Sequence, residues 1–165
     1  MINKFNGEHH FLSNFHPKRI CYLGEIYNSV EYAYQAAKVV DNPSFMKRIQ
    51  NASSPGETKR LAREAYRKGF VRKDWRDVNI KIMRKLLYLK FMSGYIRILF
   101  LDTGEEELIE GNWWHDNFWG DCSCGRQACK EPGLNVLGKT LMELRDQLRH
   151  EETTMPISKK EEKNG

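Results

Sequence analysis

Between Ser29 and Gly104 the chain carries one helix-start signal after another, each followed closely by a stop, and this punctuation restricts it to short packed helices. The clearest start is Ser54-Pro55-Gly56-Glu57: a serine cap, a proline suited to the first helical position and a glutamate that completes a capping box. The spacing predicts a helix from there to about Lys68, ended by Gly69. Ser29 offers a cap for a helix from Val30 to about Val40, and Asn42-Pro43 opens another to about Gln50. Asp74 begins a longer one with Val78, Ile82, Leu86 and Leu89 as its apolar stripe, and Tyr95 to Leu101 forms a further turn pair closing at Thr103-Gly104.

The ends of the chain read differently. Lys18 to Tyr22 and Glu25 to Tyr27 flank Leu23-Gly24 as a short hairpin, and Glu107 to Glu110 reads as a strand. Residues 111–133 are rich in Gly, Trp, Asn, Asp and Cys and have no helical period, the signature of a long functional loop. Asn135 caps a last helix with Leu137, Leu141, Leu144 and Leu148 on one side. The expectation is a single helix-dominated α+β domain over residues 1–150 with a few short strands, and a charged, disordered tail over 151–165.

Composition removes some classes of function. No run approaches the ~20 apolar residues of a membrane span, and MINKFNGEHH lacks the apolar centre of a signal peptide, so a cytoplasmic protein is expected. The net charge is +5, and residues 59–90 alone hold twelve Lys/Arg against three acids. That excess suits a phosphate-bearing ligand or a polyanion, although a solvated basic helix face would look the same.

Three stretches carry chemistry-bearing residues. In SVEYAYQAAKVV, helical geometry puts Ala33, Ala36, Ala37 and Val40 on one face and Glu31, Tyr34, Gln35 and Lys38 on the other. The second face sets a carboxylate and an amine two turns apart, with a phenol and an amide between, yet such a face is often simply solvated. In GNWWHDNFWGDCSCG, Trp113, Trp114, Phe118 and Trp119 interleave with His115, Asp116, Asn117 and Asp121. This suits stacking of a base with polar groups reading its edge, or a loop pinned by its own aromatics. Phe11-Leu12-Ser13-Asn14-Phe15 sets an amide between aromatics, and Trp75 stands among Arg72, Lys73 and Arg76.

His115, Cys122, Cys124 and Cys129 form His-x6-Cys-x-Cys-x4-Cys. Zinc sites usually show Cys-x2–4-Cys pairs, and one-residue spacing is awkward for two ligands from one loop, so no metal ligand is assigned. A disulfide framework does not fit a chain read as cytoplasmic.

FLSNF at 11–15, SVEYAYQAAK at 29–38, the basic segment through Trp75, NFWGDC at 117–122 and GLNVLGKTLMELR at 133–145 together resemble the NADAR (YbiA-like) family. The resemblance spans about residues 3 to 150 and implies an α+β fold and an N-glycosidase activity. Its implied substrates are phosphoribosylamino-pyrimidine intermediates of riboflavin biosynthesis, or ADP-ribose attached to guanine in nucleic acid. By motif it implies Glu31, Lys38 and Asp121 as catalytic residues. Asn14, Phe15, Tyr34, Gln35, Trp75, Asn117, Trp119 and Gly120 are the expected substrate-binding set. Some relatives lack the cysteine cluster, so neither metal nor cofactor is expected to serve the reaction.

The partner is then a nucleotide-like small molecule or ADP-ribosylated nucleic acid, with no membrane and no obligate protein partner. The competing classes are a non-catalytic ADP-ribose or nucleotide-binding module and a zinc-stabilised nucleic-acid-binding domain.

Overall fold

The computed structural model describes residues 1–154 and divides into two compact units. One unit is Asn14–Lys90; the other combines Met1–Ser13 with the chain from Phe91 onward. The fold is helix-dominated α+β with a few short strands, as the sequence predicts.

The Asn14–Lys90 unit begins with an antiparallel hairpin, β1 (Ile20–Tyr22) and β2 (Glu25–Tyr27), in the register Ile20↔Tyr27 and Tyr22↔Glu25. Leu23 and Gly24 both have positive φ, 51° and 80°, the conformation a two-residue hairpin turn demands. Then come α1 (Val30–Ala37), α2 (Pro43–Gln50), α3 (Pro55–Arg67) and α4 (Trp75–Phe91). Asn42 Oδ1 accepts the Phe45 N–H at 3.0 Å and Ser54 Oγ accepts the Glu57 N–H at 3.1 Å, so both predicted caps form. Glu57 reaches back one residue further than a capping box, accepting both the N–H and the Oγ–H of Ser53. Gly69, at φ 72°, stops α3 where expected.

Three expectations need correction in this unit. Ser29 precedes α1 in extended conformation, but its side chain makes no capping bond and its Oγ is buried without a partner. The buried stripe of α4 is Ile82, Met83, Leu86, Leu87 and Lys90, whereas Val78 and Leu89 are half-buried. Most consequential, α1 has no solvated face: every residue from Val30 to Ala37 is buried, because α2, α3 and the hairpin all pack on it.

In the other unit, a 3-10 turn (Gly7–Leu12) lies on α5 (Tyr95–Leu101), and Phe91 stacks on Phe100 with centroids 4.1 Å apart. The strand expected at 107–110 is only an isolated bridge between Ile2 and Leu108; the paired residues lie just beyond it. There β3 (Gly111–Asn112) and β4 (Asp121–Cys122) run parallel, Gly111↔Asp121 and Asn112↔Cys122. The last helix, α6 (Val136–Thr154), buries Leu137, Leu141, Leu144 and Leu148 as predicted and continues four residues past His150. The remainder of the expected tail, 155–165, lies outside the described residues.

Asn135 holds α6 to the preceding chain. At φ 50° it accepts the Glu110 N–H (3.0 Å) and donates to the Leu108 carbonyl (2.9 Å). Gly120 and Gly138 pack so closely that a Cβ would collide with the backbone oxygens of Glu110 and Leu108 respectively, which explains both glycines sterically.

Candidate active site

The predicted polar face of α1 is buried rather than solvated. Glu31 is 4% exposed and Gln35 is 4% exposed. A carboxylate is almost never buried to this degree unless polar partners hold it. One partner is Gln35, whose Nε2 donates to Glu31 Oε1 at 2.6 Å, one helical turn away. The backbone also fixes Glu31, through its own N–H donated to the Asn14 carbonyl at 3.1 Å.

Buried side-chain oxygens of Asn14, Ser29 and Gln35 have no hydrogen-bond partner. Gln35 belongs to this pair, Ser29 directly precedes α1, and the Asn14 carbonyl holds the Glu31 N–H. Buried polar atoms normally find a partner, so such orphans are candidates for a ligand's hydroxyls or N–H groups.

Lys38 follows α1 at its C-terminal cap. Its Nζ lies 5.3 Å from the Tyr34 ring centroid and 5.5 Å from that of Trp75, within cation–π range of both. The two rings meet edge to face at 5.0 Å. Trp75 is brought there by the segment before α4: the Arg72 N–H donates to the Lys38 carbonyl at 2.8 Å, and the Arg72 guanidinium pairs with Asp74 at 2.5 and 2.8 Å. Burial lowers the Lys38 pKa below the usual lysine range; the Glu31 carboxylate opposes this, while Lys59 and Arg63 add to it. Beside this ammonium site a cleft of about 620 Å³ is lined by Val40, Asp41, Asn42 and the run from Gly69 to Asp74.

Six expected residues therefore fall in the Asn14–Lys90 unit: Asn14, Glu31, Tyr34, Gln35, Lys38 and Trp75. A seventh, Phe15, is 37% exposed with the Lys59 ammonium 5.2 Å from its ring.

The remaining four stand in the other unit, on the aromatic loop. Asn117 organises that loop, its Oδ1 accepting the Cys122 N–H at 2.9 Å and its carbonyl accepting the Leu134 N–H at 2.8 Å. Trp119 is half-buried against Phe118, edge to face at 5.1 Å, and Gly120 is buried. Asp121 Oδ1 accepts the Gly133 N–H at 2.7 Å. Trp113 and Trp114 are 59% and 60% exposed, so neither ring pins the loop to a core.

Sequence reasoning missed Lys90. Its side chain is completely buried on α4, where the sequence reading counted it only as part of the basic excess. Its signal was position: it falls four residues after Leu86 and seven after Met83, on the buried stripe.

The loop also gathers His115, Cys122, Cys124 and Cys129, whose ligand atoms all lie within 4.8 Å of one another. Burial and then the Cys122 and Cys124 sulfurs push the Cys129 thiol up to about 11.

Fold and site together define a small helix-dominated α+β protein with a buried carboxylate–amide pair and a lysine set against two touching aromatic rings. The chain belongs to the NADAR domain family, whose model matches residues 2–149. Among its relatives, N-glycosidase Npun_R5314 of Nostoc punctiforme is 38% identical over 141 residues, spanning 84% of this chain and 85% of that protein. N-glycosidase YbiA of Escherichia coli is 36% identical over 82% of this chain and 79% of its own length. Riboflavin biosynthesis protein VVA0006 of Vibrio vulnificus is 34% identical over 86% of this chain, which spans only 36% of that longer protein. The NMR structure of E. coli YbiA superposes with a TM-score of 0.76 at 31% identity, covering 94% of this chain and 91% of that one.

Proposed function

We propose that this protein is an N-glycosidase that hydrolyses a ribosyl C–N bond, with Glu31 as the catalytic carboxylate. The observation that carries the reading is the burial of Glu31 with its carboxylate oriented by Gln35 at 2.6 Å, the Gln35 oxygen itself being buried and unsatisfied. Relatives named N-glycosidases at 36–38% identity support it.

The chemistry follows from the charge that develops. As the bond from C1′ to the base nitrogen breaks, its electron pair leaves with the base and the sugar becomes oxocarbenium-like. A fixed carboxylate stabilises that cation without having to reorganise, and it orients or deprotonates the attacking water. The water oxygen bonds C1′, and the departing nitrogen receives a proton, so one water is consumed. Lys38, with its lowered pKa, is assigned to hold phosphate or to protonate the leaving base; a Schiff base with the opened sugar aldehyde is a third route. Tyr34 and Trp75 supply ring faces beside it. Asn14, Phe15 and Gln35 are assigned to substrate binding, as are Asn117, Trp119 and Gly120 from their family motif. Asp121 is assigned from that motif to the water or ribose hydroxyls.

For the substrate, ADP-ribose attached to guanine in nucleic acid ranks first. Lys59 and Arg63 are close enough to Lys38 to depress its pKa, and they belong to the basic segment that suits a polyanion. The Vibrio vulnificus relative's name favours the second reading, a ribosylamino-pyrimidine phosphate. No described helix is long and apolar enough to cross a membrane. A cytoplasmic location is inferred, in keeping with four cysteines that are not paired in disulfides. Offering both substrates to the wild-type protein and following products by mass spectrometry tests the ranking. Free ADP-ribose with unmodified guanine left in the nucleic acid supports it, and release of the pyrimidine alone reverses it. Tight binding with neither ADP-ribose nor pyrimidine released makes the protein a binding module.

A further inference from the structure

We propose that His115, Cys122, Cys124 and Cys129 form a structural zinc site that clamps the aromatic loop between Asn112 and Gly133. The imidazole Nδ1 of His115 lies 3.2 Å from Cys124 Sγ and 3.4 Å from Cys129 Sγ. The four ligand atoms all fall within 4.8 Å of one another. In tetrahedral zinc with bonds of about 2.3 Å to sulfur and 2.0 Å to nitrogen, ligand atoms are about 3.5–3.8 Å apart. The cluster is therefore assembled to within side-chain adjustment of that geometry. One imidazole and three thiolates are the soft, closed donor set of a structural site, with no position left for substrate.

The fold explains how an unfavourable spacing becomes usable. Cys122 ends β4 and Cys124 lies in the bend that follows it, so the chain turns there and brings the second sulfur back toward the first. Gly125, at φ 79°, turns the chain so that the 3-10 turn Gln127–Cys129 returns the third sulfur. His115 adopts φ 69°, a left-handed conformation uncommon outside glycine, and its imidazole lies against the sulfurs of Cys124 and Cys129.

The supporting shell is also present. Asn112 Oδ1 accepts the N–H groups of Trp114 (3.3 Å) and Asp116 (3.1 Å), and its Nδ2 donates to the Asp116 carbonyl at 2.7 Å. Asp116 Oδ1 in turn caps Phe118 and Trp119. Partners of this kind fix the ligands' orientation. The same cluster would otherwise be three crowded thiols, two of them buried, on a loop with two exposed tryptophans.

The test is independent of any glycosidase activity. The full chain is purified under reducing conditions without chelator, and its metal is measured by plasma mass spectrometry. About one zinc per chain is expected from a closed four-ligand site. Replacement by cobalt(II) should give thiolate-to-cobalt charge transfer and the visible bands of a tetrahedral ion. Cys122→Ser and Cys129→Ser should lower zinc content at least about tenfold, while Cys21→Ser, an exposed thiol outside the cluster, retains it. If the buried cysteine variants do not fold, His115→Ala replaces an exposed side chain and should still weaken zinc binding by about 10–100-fold, with His115→Cys restoring it. Zinc near zero with no cobalt spectrum overturns the proposal. So does a disulfide among these cysteines in metal-free protein.

Discussion

Gln35 donates its amide N–H to the Glu31 carboxylate at 2.6 Å on a helix whose every residue is buried. The amide spends a donor on the carboxylate and leaves its own buried oxygen unsatisfied, an arrangement that costs stability unless a ligand completes it. Substituting Gln35→Leu keeps approximate volume and removes the orienting bond. We expect kcat to fall by about tenfold to a hundredfold, since the residue positions a group acting in the transition state. Steady-state kinetics beside an unchanged circular dichroism spectrum check this.

Lys38 gives a prediction in pH. Burial lowers its pKa, so the unfolded chain binds more protons than the folded one between the folded value and the ordinary lysine value of 10.5. Stability from this group consequently rises as pH rises through that window, and the penalty for the buried charge is fully present below it. Lys38→Met should raise the melting temperature at neutral pH while abolishing turnover, which thermal denaturation and activity assays on the same sample measure. If Lys38 forms a Schiff base, borohydride under turnover conditions traps a sugar adduct that Lys38→Met lacks.

Trp75 shields that ammonium, with its ring centroid 5.5 Å from Nζ. Trp75→Ala admits water, which should return the Lys38 pKa toward the ordinary range and lower kcat/KM by about 10–100-fold. Trp75→Phe retains a ring face and should keep most of the activity. The alkaline limb of the pH–rate profile reads the shift, moving up in pH for the alanine variant only.

Asp121 separates charge from scaffolding. Its Oδ1 accepts the Gly133 N–H at 2.7 Å, a bond that Asp121→Asn can keep through its amide oxygen. With the carboxylate assigned to water or ribose, Asp121→Asn should lose about 10²-fold or more in kcat with little change in melting temperature. Asp121→Ala should lose both.

Asn135 is a stability site. Two buried hydrogen bonds and a positive φ converge on it, so Asn135→Ala leaves the Glu110 N–H and Leu108 carbonyl unpaired and strains the backbone. We expect about 2–4 kcal/mol of destabilisation in urea unfolding, with Asn135→Gly recovering only the backbone part.

Much of the fold is legible because its signals are local. The Leu23-Gly24 turn, the Asn42 and Ser54 caps, the Gly69 stop and the leucine face of α6 each depend on a few neighbouring residues. Burial that depends on distant packing is not legible. The sequence of α1 offers one small-residue face and one polar face, but three elements cover it and the polar face is buried too. Lys90 looks like basic surface until α4 is placed, when it takes the stripe position expected of an apolar residue. The spacing of the cysteine cluster argues against convergence, and only the bend at Cys124 after β4 brings Cys122 and Cys124 together. The chemical letters of the candidate site were readable in SVEYAYQAAK; the buried hydrogen bond joining two of them was not.

The most direct measurement is single-turnover release of free ADP-ribose from ADP-ribosylated guanine by wild type and Glu31→Gln at saturating substrate. Glu31→Gln removes the charge with little change in shape, so the fold should persist while the rate drops by about 10²–10⁴-fold. A folded Glu31→Gln protein that releases ADP-ribose at the wild-type rate would contradict the assignment of Glu31 as the carboxylate that drives the cleavage.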